Sequence, residues 1–146
     1  MVQKTTWMRY LTLGTIFSAL LMHISCKKEY FGYGHFYFVN ETNHSITYGN
    51  LFEEYNLGPH QTILIKQTQD ATRRANLEDY ISPFSMRTKG PLDIRFDANK
   101  CVTVLRETEH SVLNIESYKP EKLDKFTYKF TYTFTEADYN RALTCP

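Results

Sequence analysis

The sequence predicts an all-β, mainly antiparallel fold: a β-sandwich of about seven short strands with a short C-terminal helix. Three observations carry this reading. In Phe126–Phe134 (FTYKFTYTF) an aromatic ring stands at every second position with Thr or Lys between, the period of a strand with one buried face. Two hairpin patterns appear, one turning at Asn40–Asn43 and one at Asp97–Lys100. Strand patterns do not alternate with helical ones, which argues against a parallel α/β sheet. A chain of 146 residues is one domain by size.

The chain opens with a targeting segment. Met1–Tyr10 carries Lys4 and Arg9 as a basic leader, and Leu11–Met22 is an apolar run of secretory length, too short to span a bilayer comfortably. His23-Ile24-Ser25-Cys26 follows. A small residue directly before a cysteine at the end of such a run resembles the lipobox of bacterial lipoproteins, although His23 stands where that motif carries Leu. The resemblance implies a signal peptide over 1–25 and lipidation of Cys26. Ordinary secretion and an uncleaved anchor are the alternatives. Residues 26–34, with charge, two glycines and aromatics, read as a tether lifting a domain of residues 35–146 off the bilayer.

Within that domain, His35–Asn40 (HFYFVN) and Ser45–Tyr48 form the first hairpin, which Leu51–Leu57 continues as a meander. Gly58-Pro59 marks a turn, and Thr62–Lys66 (TILIK) reads as a central strand. Residues 67–91 read as a long connection or, over Asp70–Ile81, a short helix. Leu92–Phe96 alternates Leu, Ile and Phe with Asp and Arg, and Cys101–Leu105 returns beside it. Ser111–Tyr118 is a further candidate strand, and Lys119–Lys125 a charged loop. Phe126, Phe130 and Phe134 are assigned to the core. Thr135 with Asp138 three positions on is a variant of the capping box and predicts a helix over Glu136–Leu143, laying Ala137, Tyr139 and Ala142 on the sheet.

With Cys26 lipidated, Cys101 and Cys145 are left as one even pair in an oxidising compartment, readable as a disulfide or as two buried thiols. The net charge is +1, with 17 basic and 16 acidic residues, so nothing points to nucleic acid.

The histidines at 35, 44, 60 and 110 form neither HxH nor HExxH, and no CxxC occurs, so no metal or cofactor is expected. No GxSxG is present. Cys101 with His110 as a thiolate pair, Asp93, Asp97 and Glu136 as glycosidase carboxylates, and Asp97 with Asn99 as a calcium loop are each weaker readings than structural ones. No catalytic residue is assigned. The surplus of 11 Tyr and 10 Phe is the functional signal. Tyr30, Tyr33, Tyr55, Tyr80 and Tyr118 lie outside strand interiors in this reading and are the candidate partner contacts, set against packing on the sheet's rim.

Two stretches, Ile94–Cys101 (IRFDANKC) and Tyr132–Tyr139 (YTFTEADY), together with the lipobox, resemble small uncharacterised β-sandwich lipoproteins of Bacteroides-type bacteria. The resemblance implies a protein lipid-anchored in the cell envelope, at the outer membrane, and carries no catalytic residues over. Lys27-Lys28-Glu29 is mixed in sign and does not fix the side it faces. The expected function is a binding or structural role toward an envelope protein or glycan; the alternative is an enzyme acting on envelope glycans.

Overall fold

A computed structural model describes residues 30–49, 53–71, 76–85 and 90–146. Among them, β1 (Tyr30–Asn40), β4 (Thr62–Ala71), β7 (Lys119–Lys122) and β8 (Thr127–Phe134) form one sheet, in the order β4-β1-β8-β7. The second sheet has the order β3-β2-β5-β6-β9, from β2 (Ile46–Gly49), β3 (Glu54–Leu57), β5 (Leu92–Phe96), β6 (Lys100–Val104) and β9 (Leu143–Thr144). Every pairing is antiparallel except β1 with β8. The all-β, sandwich-like fold is as the sequence predicts.

The core lies between the sheets. Phe36 and Phe38 of β1 pair in register with Phe130 and Tyr132 of β8, and all four are buried. The Phe36 and Phe130 rings stack 4.9 Å apart, a favourable offset contact. Ile46, Tyr48, Leu92, Ile94 and Phe96 oppose them from the second sheet. Gly34 faces the same interior, where a Cβ would lie 2.6 Å from the Phe36 ring; only glycine leaves that ring its place.

Several expectations need correction. β1 begins at Tyr30, so residues 30–34 are strand and not tether. β4 runs ten residues at the sheet edge and is not central; its inward Ile63 and Ile65 are only half-buried for that reason. Of the helix considered over Asp70–Ile81, Asp70 and Ala71 belong to β4 and Leu77–Asp79 is a single 3-10 turn. Ser111–Tyr118 is a loop ending in a 3-10 turn at Ile115–Ser117, while the charged Lys119–Lys122 is strand. Pro120 is tolerated there because β7 is an edge strand. β7 and the two-residue β9 raise the count above seven, and neither shows apolar alternation.

Phe126 precedes β8 and is 38% exposed. Asp124 accepts hydrogen bonds from the amides of Phe126 and Thr127, and this turn swings the Phe126 ring out of the strand's pattern. The C-terminal helix, α1 (Glu136–Arg141), is shorter than expected; Ala142 is buried and Tyr139 half-buried, but Ala137 is exposed.

Candidate functional site

Strand β1 lies inside its sheet, between β4 and β8. With Phe36 and Phe38 turned inward, the alternation sends Tyr33, His35 and Tyr37 to the outer face. Registers then set their neighbours. Tyr37 lies between Leu64 of β4 and Thr131 of β8, and His35 between Lys66 and Lys129. Tyr33 and Leu64 are 42% and 41% exposed. Lys129 Nζ sits 5.6 Å from the centre of the Tyr37 ring and 2.8 Å from Glu121 Oε2 on β7. The hydrogen bond with Glu121 raises the Lys129 pKa and lowers that of the carboxylate. Tyr33 and Tyr37, four residues apart, stand about 13 Å from each other along the strand. The result is an outer face with two phenol rings along its interior strand, Tyr37 at mid-strand and Tyr33 toward the end where β1 begins, and ammonium, hydroxyl and imidazole groups around them.

The other tyrosines predicted as partner contacts are distributed differently. Tyr80 and Tyr118 are buried, which corrects that assignment. The Tyr80 ring packs 5.1 Å from Phe130, and the Tyr118 hydroxyl donates to the carbonyl of Val112 and adjoins Ser82 Oγ. Burial pushes the Tyr118 phenol up. Tyr55 is half-buried, stacked on Tyr48 at 5.6 Å. Tyr30 lies in β1, with its side chain outside the described residues, as is Cys26. Of the four whose side chains are described, Tyr33 alone is exposed on a sheet face, and Tyr37, half-buried and not singled out by the sequence, joins it. A signal for Tyr37 exists: in HFYFVN, strict alternation separates Phe36 and Phe38 from it.

At the turns where β1 and β5 end, the fold makes a different cluster. His44 Nδ1 bonds to Asp97, its Nε2 is 3.9 Å from Glu136, and its ring stacks 3.5 Å from that of Tyr139. The bond to His44, with a second from the Ser45 amide, holds the Asp97 carboxyl below the usual range. Glu136 accepts from the Asn43 amide. The carboxylates weighed as a glycosidase pair are thus partly gathered, Asp97 and Glu136 around His44, while Asp93 instead accepts from Thr103 at 2.6 Å. Nearby, Asn40 is buried and donates to the carbonyls of His44, Leu57 and Gly58, while its Oδ1 accepts from Thr42.

Asp138, 4% exposed at its side chain, accepts from the Thr135 amide at 2.8 Å, from Arg141 at 2.6 Å, and pairs with His110 at 3.0 Å. Burial pushes its carboxyl up, but the His110 and Thr135 bonds prevail and the net displacement is downward. Cys101 and Cys145 are joined as a disulfide, with Cα atoms 5.0 Å apart. That geometry leaves Cys101 no thiolate to share with His110. Among the described residues no three His, Cys, Asp or Glu side chains are placed to hold a metal ion, and no helix is long and apolar enough to cross a membrane.

No family model, curated protein or solved structure matches this chain.

Proposed function

We propose that the chain is a cell-envelope lipoprotein, anchored through Cys26, whose domain binds a partner on the outer face of the β4-β1-β8-β7 sheet. The observation that supports this most is the outward placement of Tyr33 and Tyr37 on an interior strand. Ring faces with hydroxyl tips, bordered by Lys66, Lys129 and Glu121, suit an envelope protein or a glycan. The anchor rests on the lipobox resemblance at Cys26.

Capture from envelope extracts by the parent protein and by a Tyr33→Ala, Tyr37→Ala double variant tests the face. The variant is expected to melt with the parent and lose the partner; full retention of capture by a folded double variant would remove the face from the reading. Protease treatment of the extract before capture separates a protein partner from a glycan. For the anchor, Cys26→Ala should abolish incorporation of labelled palmitate, and continued labelling would refute it.

The enzyme alternative would use the carboxylates at His44. Turnover of envelope glycans by the parent, lost in both Asp97→Asn and Glu136→Gln, would favour it over binding.

A further inference from the structure

The end of the sandwich where β1 begins differs from the rest of the surface. Tyr30 pairs with Ala71, so the close of β4 lies there. The Tyr33 amide donates to the Phe126 carbonyl, which brings in the β7–β8 turn, and the Tyr80 hydroxyl reaches the carbonyls of both Tyr33 and Phe126. Of nine exposed large apolar side chains among the described residues, six belong to these segments: Phe31, Tyr33, Leu77, Ile81, Leu123 and Phe126. Isolated exposed apolar residues need no explanation, but a gathering of them with a polar border marks a contact surface.

What covers this end is set by where the chain comes from. On the proposed reading, Cys26 carries the lipid, and only three residues, Lys27, Lys28 and Glu29, separate it from the first residue of β1. The four steps from Cys26 to Tyr30 reach at most about 14 Å, however extended. The strand that replaces the expected tether therefore holds this end against the bilayer surface. The chemistry suits that position. Aromatic rings and long apolar side chains partition to the headgroup level, and lysines extend their charge outward from it. Lys122 and Lys125 border the patch, with Lys125 Nζ 5.0 Å from the centre of the Phe126 ring. Glu78, Asp79 and Asp124 offset their charge; Asp124 is turned into its own loop by the Phe126 and Thr127 amides. Among the described residues the two lysines and three carboxylates leave no basic surplus at this end, so the contribution this end makes is apolar burial.

We infer that the apolar end formed by Phe31, Leu77, Ile81, Leu123 and Phe126 inserts into the headgroup–acyl boundary of the membrane that holds the chain, a second contact beside the lipid. This rests on the proposed anchor at Cys26, and the experiment separates the two. Full-length Phe126→Trp and Glu41→Trp variants are reconstituted in phosphatidylethanolamine–phosphatidylglycerol vesicles carrying nitroxide-labelled lipid. Glu41 is exposed and its amide bonds to the Phe134 carbonyl at the opposite end of β1. The parent, whose single tryptophan is Trp7, supplies the background, and thermal melts verify that both variants fold. Quenching several-fold stronger at position 126 than at 41 is expected. Equal quenching at the two positions, or a chain that does not stay with the vesicles, overturns the inference. Palmitate incorporation is read on the same preparation. A chain labelled but unquenched at 126 keeps the anchor and loses the apolar end; one quenched but unlabelled does the reverse.

Discussion

The two ends of this sandwich are built from opposite materials. Where β1 and β8 finish, polar side chains are spent on one another: Asn40 satisfies three carbonyls, and His44 ties Asp97 to the start of α1. The Cys101–Cys145 disulfide staples β6 to the C-terminus beside them. Where β1 begins, the Asp124 turn and the Tyr80 hydroxyl arrange the backbone, but Leu77, Ile81, Leu123 and Phe126 face outward. A small domain with one hydrophobic core has no folding reason to leave that many large apolar groups at one end. The locked end serves the fold; the apolar end is free to serve a contact.

Phe130 and Phe126, four residues apart in one sequence pattern, give the widest separation. Phe130→Ala removes a ring that is 1% exposed and should cost about 3–5 kcal/mol, a large part of the roughly 5–15 kcal/mol a domain has. Phe126→Ala should cost less than about 1 kcal/mol, as partly exposed groups do. Thermal melts of both beside the parent decide it: equal losses would place Phe126 in the core and dissolve the distinction between the ends.

The disulfide closes 44 residues, which the chain-entropy account values at about 4 kcal/mol. Cys101→Ser with Cys145→Ser should therefore lower the melting temperature nearly as far as Phe130→Ala does. No free thiol should react in the folded, unreduced parent apart from Cys26 in any chain whose lipid is missing. Prompt alkylation of both Cys101 and Cys145 would unmake the staple.

Asp138→Asn weakens the bonds that the carboxylate receives from Thr135, His110 and Arg141. Bonds to a charged group of this kind are worth about 1.5–3 kcal/mol. The Asp138 and Asp97 pKa values are depressed in the folded protein. Their contribution is complete above the ordinary aspartate value of about 4 and fades as pH falls through the folded values. Acid should thus weaken the parent in that window, and Asp138→Asn should flatten the slope. A parent and variant with parallel pH profiles would show that the pairing at Asp138 stabilises nothing.

Local patterning in the sequence accounts for much of the fold. IRFDANKC forms the end of β5, a turn and the start of β6 because strict alternation and a polar turn agree. The turn's backbone is less legible: Asp97 and Ala98 both adopt positive φ, 49° and 62°, without a glycine to announce it. The charged edge strand β7 carries no signal of its own, since nothing in KPEK alternates between apolar and polar, and its pairing with β8 supplies all its order. Tyr80 and Tyr118 defeat a local reading for a related reason. They sit in irregular segments, which ordinarily lie at the surface, yet those segments fold back over the aromatic core and bury them. The parallel pairing of β1 with β8 joins strands about ninety residues apart, beyond any local signal. The outer face is half legible. Tyr33 stands out between two glycines, whereas Tyr37 is hidden in a continuous aromatic run whose period is ambiguous.

Hydrogen exchange followed residue by residue, with the full chain held on vesicles and again in detergent-free solution, tests the contrast between the ends most directly. Vesicles should slow exchange of amides in 77–81 and 123–126, and leave those of 41–45 and 97–99 unchanged. Protection that appears at 41–45 and 97–99 instead, or at neither end, would contradict an apolar end seated on the membrane.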